Sequence, residues 1–93
     1  MKAPKHIHWL HDQPCILADH DTCDGAIQAH HLMKPWSGHR GTGMKAGDEN
    51  AVPVCFKHHN AIHQHGNEET VFEIHTSKLD FGRRNAIRFW YSS

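Results

Sequence analysis

Cys55-Phe56-Lys57-His58-His59-Asn60-Ala61-Ile62-His63 is the stretch that decides how this chain folds. Cys55 and His58 have the close spacing of one half of a tetrahedral zinc site. His59 and His63 stand four positions apart, so on a helix both imidazoles project from one face. That face is not the one His58 occupies, and one short helix therefore offers two ligand sets aimed in different directions. Upstream, Ala51-Val52-Pro53-Val54-Cys55 reads as a short apolar strand. Its proline suits an edge position, where no amide donor is needed. Phe56 to His65 reads as the helix, with Gly66 well placed as its C′ residue.

Composition explains why metal belongs in such a chain. Ninety-three residues make one small domain, and at 38% hydrophobic and 22% charged the core is thin. A chain of this length buries only about 60–65% of its unfolded surface, and small domains with thin cores usually need a staple. Three cysteines cannot pair off completely, which argues against a disulfide framework. Histidine supplies 12 residues, more than lysine and arginine together, so metal is the better staple. Lys plus Arg and Asp plus Glu are both 10, which excludes the strongly basic class of nucleic-acid binder that relies on counterion release. No apolar run approaches the roughly 18 residues of a membrane span. The polar start, Met1-Lys2-Ala3-Pro4-Lys5-His6, lacks an apolar signal region, and the expected location is the cytoplasm.

Outward from the decisive stretch, Lys5 to Asp12 reads as a short helix that stops before Pro14. Cys15 to Cys23 reads as a polar loop rich in aspartate, and Ala26 to Met33 carries the alternation of a short strand. Lys34 to Asn50 holds Pro35, Gly38, Gly41, Gly43 and Gly47 and reads as a long loop, a feature that is usually functional in a small domain. Asn67 can cap a helix running to about His75, with Glu68 and Glu69 near its positive end. Asp80 can cap a last helix carrying Arg83, Arg84, Ile87, Arg88, Phe89, Trp90 and Tyr91.

Two metal sets follow. Cys15 and Cys23 can complete a Cys₃His zinc site with Cys55 and His58, with His20 a rival fourth ligand. His30 and His31 are neighbours on a strand and face opposite sides, so they should do different jobs. One can bind a divalent metal with His59 and His63, while the other stays free as a base. An imidazole with a pKa near 6.5 suits the activation of water at neutral pH. A divalent cation among His30, His59 and His63 could hold a phosphodiester and stabilise its leaving oxygen. The plainer readings are packing or surface positions for His6, His8, His11, His39, His65 and His75, and core positions for Trp9, Trp36 and Trp90. Arg83, Arg84 and Arg88 are most simply a solvated helix face, with phosphate contact as the sharper alternative.

Ala29-His30-His31, Asn50 and Cys55-x₂-His58-His59-x₃-His63 together resemble the HNH endonuclease (ββα-metal, His-Me finger) pattern. The closer resemblance is to the phage recombination-enhancement nuclease (Ref-like) and DUF968 group. It covers roughly residues 14–72 and includes Pro14-Cys15, Gln28 to Leu32, Gly41-Thr42-Gly43-Met44-Lys45, Asp48, Val52 to Cys55 and His63-x₂-Gly66-Asn67-Glu68. It implies an α+β fold with a small zinc-stabilised ββα-metal core and short flanking helices. It implies a single domain over 1–93, with C-terminal helices in 67–91, that cuts DNA with a divalent cation such as Mg²⁺ or Mn²⁺. By position it makes His31 the general base and His30, His59 and His63 the catalytic-metal ligands. Either Asp48 or Asn50 fills the central role beside the base. Lys45 and the three arginines are the candidate DNA contacts, and a recombinase filament or another DNA-processing protein of phage or host is a candidate partner. The rival from a different class is a zinc-stabilised DNA-binding or scaffold protein without hydrolysis, for which a second ligand set is superfluous. A zinc-storage protein suits the histidine count but not the blocks around the glycine loop.

Overall fold

The computed structural model describes residues 2–38 and 46–93. The loop block 41–45, including the candidate DNA contact Lys45, lies outside the described residues, as does His39. The chain forms helix α1 (Pro4–Leu10), strand β1 (Ile27–His31), a 3₁₀ turn (Asp48–Asn50), strand β2 (Ala51–Cys55), and helices α2 (Phe56–His65), α3 (Glu68–Thr76) and α4 (Phe81–Trp90). Among the described residues, two strands and four α-helices make a small α+β fold, and no helix is long and apolar enough to cross a membrane.

β1 and β2 pair antiparallel, with His31 opposite Ala51, His30 opposite Val52, Ala29 opposite Pro53 and Ile27 opposite Cys55. Pro53 sits where the sequence pattern put it. The Pro53 carbonyl points away from β1 and accepts from the Ile16 amide at 3.0 Å, so the missing proline N–H would also have faced outward. All five residues of β2 are buried, because α1, α2 and α4 pack around it. β2 runs directly into α2, which ends at Gly66 in the left-handed conformation (φ 80°) with its amide donating to the Ile62 and His63 carbonyls. Gly is the residue that adopts this conformation without a Cβ penalty.

Asn67 caps α3, its Oδ1 accepting from the Thr70 amide at 2.8 Å. Asp80 precedes α4 but makes no side-chain cap; its carboxylate instead accepts from Arg84 Nε at 2.7 Å. The buried cluster joins Leu10, Leu17, Leu32, Val52, Val54, Ile62, Val71, Phe72 and Phe89 from every layer. α4 closes on it through Gly82, where a Cβ would lie 2.7 Å from Phe72 Cε2 and 3.0 Å from Leu32 Cδ2. Trp9 and Trp36 pack against the core while partly buried, and Tyr91, expected to supply apolar area, is 75% exposed.

Candidate metal centre and histidine cleft

α2 presents His58 on one face and His59 with His63 on another, as helical periodicity requires. On the first face, His58 Nδ1 lies 3.1 Å from Cys55 Sγ, 3.5 Å from Cys15 Sγ and 3.8 Å from Cys23 Sγ. Tetrahedral zinc with bonds of about 2.3 Å to sulfur and about 2.0 Å to nitrogen places such donors about 3.5 Å apart. Cys15, Cys23, Cys55 and His58 therefore form a cluster that can hold a metal ion, and three thiols with one imidazole suit zinc. Each ligand is set by local structure: Cys55 ends β2, His58 sits in the first turn of α2, and Cys15 and Cys23 flank the loop that wraps back to them. Burial pushes the Cys55 thiol up, yet amide N–H groups of His58 and Asp24 and the nearby imidazole outweigh it and bring Cys55 down to about 7. Burial dominates at Cys15 and holds that thiol above its usual value. His20 is not part of the cluster; it is exposed and its ring stands edge-on to Phe81, with centroids 5.4 Å apart.

The cluster has an outer shell that ligand spacing could not reveal. His58 Nε2 donates to Asp21 Oδ2 at 2.8 Å, which leaves Nδ1 as the ligand lone pair. Lys57 Nζ lies 3.2 Å from the same oxygen and His75 Nε2 3.7 Å. The hydrogen bond from His58, followed by that from Lys57, lowers the Asp21 carboxyl to about 2. Carboxylate–histidine–metal arrangements of this kind fix the tautomer and raise ligand basicity. Asp21, His58 and His75 also lie close enough together to be a second metal group, but the Lys57 ammonium on the shared oxygen opposes another cation there.

On the other face, a cleft of about 530 Å³ is lined by Ala29, His30, His31, Met33, His59, Ile62, His63 and Gly66. The four histidines expected to act together all line this cleft, but the donor atoms of His30, His59 and His63 do not draw together into a metal group as the Cys₃His donors do. His59 Nε2 and His63 Nε2 are 3.3 Å apart, and the His30 and His59 rings are 5.4 Å apart between centroids. Burial, then the nearby His30 and His63 rings, lowers His59 to about 4, so its imidazole keeps a lone pair for a metal at neutral pH.

His30 and His31 point to opposite sides of β1, and each meets its own carboxylate. His30 is buried and its Nε2 lies 3.0 Å from Glu68 Oε1. His31 Nε2 lies 2.8 Å from Asp48 Oδ1. Each carboxylate accepts from Nε2–H, so Nδ1 is left as the basic nitrogen of both rings. Glu68, read from the sequence only as a charge near a helix N-terminus, also accepts from the Met33 and Lys34 amides at 2.9 and 3.0 Å. Burial raises its carboxyl, but the His30 hydrogen bond and those amides lower it further, and it stays ionised.

Asp48 and Asn50 make different contacts. Asp48 orients His31 and accepts from the Ala3 amide at 2.6 Å. Asn50 is fully buried and does not reach His31; its Oδ1 accepts from the Trp36 and Ser37 amides at 2.7 and 3.2 Å, and its Nδ2 donates to the Ser37 carbonyl. It braces the loop. On α4, Arg84 pairs with Asp80 within the helix. Arg88 donates to Asn85 and covers the Phe89 ring at 4.3 Å. Arg83 lies 3.7 Å from Glu69. These are the pairings of a solvated helix face, set apart from the residues that line the histidine cleft.

A family model described as "Protein of unknown function (DUF968)" matches residues 1–83. The chain belongs to the DUF968 family. It is similar to the "Uncharacterized protein YdfU" of Escherichia coli (strain K12), at 39% identity over 61 residues. That stretch is 63% of this chain and 15% of the length of the E. coli protein. No solved structure matches. Within the family match fall the Cys₃His cluster, the four histidines of the cleft, the carboxylates of Asp48 and Glu68, and Asp21.

Proposed function

We propose that this chain is a metal-dependent DNA endonuclease of the HNH (ββα-metal) type, with a separate structural zinc. The observation that carries this reading is that His30, His31, His59 and His63 line one cleft, contributed by β1 and by a face of α2 different from that of the Cys₃His cluster. A scaffold needs the cluster and has no use for the cleft.

Each side chain then has a part. Asp48 holds His31 with Nε2 protonated, so Nδ1 is the base that takes a proton from the attacking water. His59 and His63 present ring nitrogens 3.3 Å apart, a separation suited to adjacent metal ligands. His30, fixed through Nε2 by Glu68, has Nδ1 for the same purpose. A divalent cation bound there would neutralise the phosphate and stabilise the leaving oxygen. The Cys₃His cluster holds the strand–helix junction that aims all four imidazoles. With formal charge zero, affinity for DNA alone is modest, which favours action alongside another DNA-bound protein such as a recombinase filament.

The test is nicking of supercoiled plasmid with Mg²⁺ or Mn²⁺, run beside relaxed and single-stranded DNA. Cation-dependent nicking by wild type and its loss in His31→Ala are expected. Zinc-loaded, folded protein that binds DNA but nicks no substrate with either cation would favour the scaffold reading instead.

A further inference from the structure

We infer that the groove between α1 and His31 is a second phosphate-binding site, which takes the stretch of DNA backbone next to the bond being cut; this rests on the nuclease reading above. His31 lines two clefts. One is the histidine cleft. The other, of about 440 Å³, is walled by Lys2, Pro4, Ile7, His8, His11, His31 and Asp48. A polynucleotide is continuous, so a phosphodiester at His31 must continue on both sides of it, and the α1 groove, which shares His31 with the histidine cleft but is lined by neither His59 nor His63, offers one path.

The chemistry of the groove suits a phosphate diester. Lys2, His8 and His11 are exposed. Helix α1, Pro4-Lys5-His6-Ile7-His8-Trp9-Leu10, contains no acidic residue. Among the described residues Asp48 is the one carboxylate in the lining, and both its oxygens are engaged: Oδ1 by His31 at 2.8 Å and Oδ2 by the Ala3 amide at 2.6 Å. Both oxygens already have a donor, although neither donor cancels the carboxylate charge, and Lys2 is the cation of the lining. Lys2 supplies a cation for a phosphate oxygen, the His8 imidazole a hydrogen-bonding edge, and Pro4 and Ile7 an apolar surface for a sugar. His11 is held by its ring Nδ1 at 2.9 Å from the Ile7 carbonyl and forms the outer wall. The Ala3–Asp48 bond makes α1 and His31 one assembly, so a backbone seated on α1 is in fixed register with the base.

The experiment uses the full zinc-loaded chain carrying His31→Ala, which should bind without cutting, and compares it with the same chain also carrying Lys2→Ala, His8→Ala and His11→Ala. The probe is a fluorescein-labelled duplex oligonucleotide, read by anisotropy across a salt series. All three added substitutions are at exposed positions, so zinc content and melting temperature should not change. The log–log salt slope should become shallower by about 0.9, because the Lys2 ammonium no longer neutralises a phosphate, and affinity at low salt should fall. Identical affinity and slope in the two proteins would overturn the second site while leaving nicking by wild type, and so the nuclease reading, untouched. Weakened binding on α1 substitution in a protein whose wild type nicks nothing would support the groove and sink the nuclease reading. Failure of the His31→Ala chain to bind any duplex would overturn the second site, with nicking by wild type still deciding the nuclease reading.

Discussion

Replacing Asp21 should weaken zinc binding without removing a ligand. Its carboxylate accepts from His58 Nε2 at 2.8 Å, a distance typical of a charge-assisted bond. Two consequences follow from that single hydrogen bond: Nδ1 is kept as the metal-binding nitrogen, and negative charge behind the ring increases its basicity. Removing such an outer partner typically costs about 10–100-fold in metal affinity. Asp21→Asn keeps an acceptor in the same place but loses the charge, so about tenfold is expected; Asp21→Ala loses both and should approach about 100-fold. Cys55→Ala, by contrast, removes a ligand that is 1% exposed and should abolish zinc binding and cooperative folding together. Lys57, with its side chain 43% exposed, loses its ion pair in either Asp21 variant but keeps its bonds to Thr22, and surface pairs of this kind contribute little. The assay is a competition titration against a chromophoric zinc chelator, with the melting curve of each zinc-loaded protein as a control for folding. Equal zinc dissociation constants for wild type, Asp21→Asn and Asp21→Ala would refute the reasoning, because the His58 ring would then need no outer partner to act as a ligand.

His31→Ala should leave zinc content and melting unchanged while plasmid nicking falls by roughly 10²–10⁴-fold, the contribution of a positioned base. His30→Ala, His59→Ala and His63→Ala should instead be partly rescued by excess Mn²⁺, and the same rescue of His31→Ala would contradict its role as base. Gly82→Ala should destabilise the fold: the Cβ meets Phe72 and Leu32 at 2.7 and 3.0 Å. Overpacking of this kind costs about 1–3 kcal/mol, against about 1 kcal/mol gained in helix propensity, so a melting temperature at or above wild type would count against the packing. Acid should also destabilise the protein through His6, whose pKa is lowered by burial, an effect the nearby Asp48 charge only partly offsets. The unfolded chain takes up that proton first, so the contribution is complete above the usual histidine value near 6.5 and is lost as pH falls below it toward the folded value. His6→Phe keeps a ring against Trp9 and Trp90, and its stability relative to wild type should rise between pH 7.5 and pH 5, as followed by chemical denaturation; a pH-independent difference would be the contrary result.

Local residue types and their spacing settled much of this molecule. Period-2 and period-3.6 patterns are local, and so were the strand ending at Cys55, the helix beginning at Phe56, the Gly66 terminus and the Asn67 cap. The separation of His58 from His59 and His63 onto different faces needed only helix geometry, and donor chemistry narrowed the zinc set to Cys15, Cys23 and Cys55 with His58 or His20, a choice the fold made for His58. What no spacing could supply were the carboxylates. Asp21 is 37 residues from His58, Glu68 is 38 from His30, and Asp48 is 17 from His31, and each partnership exists only because the chain closes on itself. In sequence Asp21 is one aspartate in a polar loop and Glu68 one acid at the start of a helix; nothing local distinguishes them from Asp19 or Glu69. Between Asp48 and Asn50 the sequence left the choice of partner for His31 open; the fold gives Asp48 to His31 and buries Asn50 as a brace for the loop. Ligand identity is a property of residue type and is legible in the chain. The tautomer and aim of each imidazole depend on what sits behind the ring, and that is decided by the packing of β1, α2 and α3 and the 3₁₀ turn.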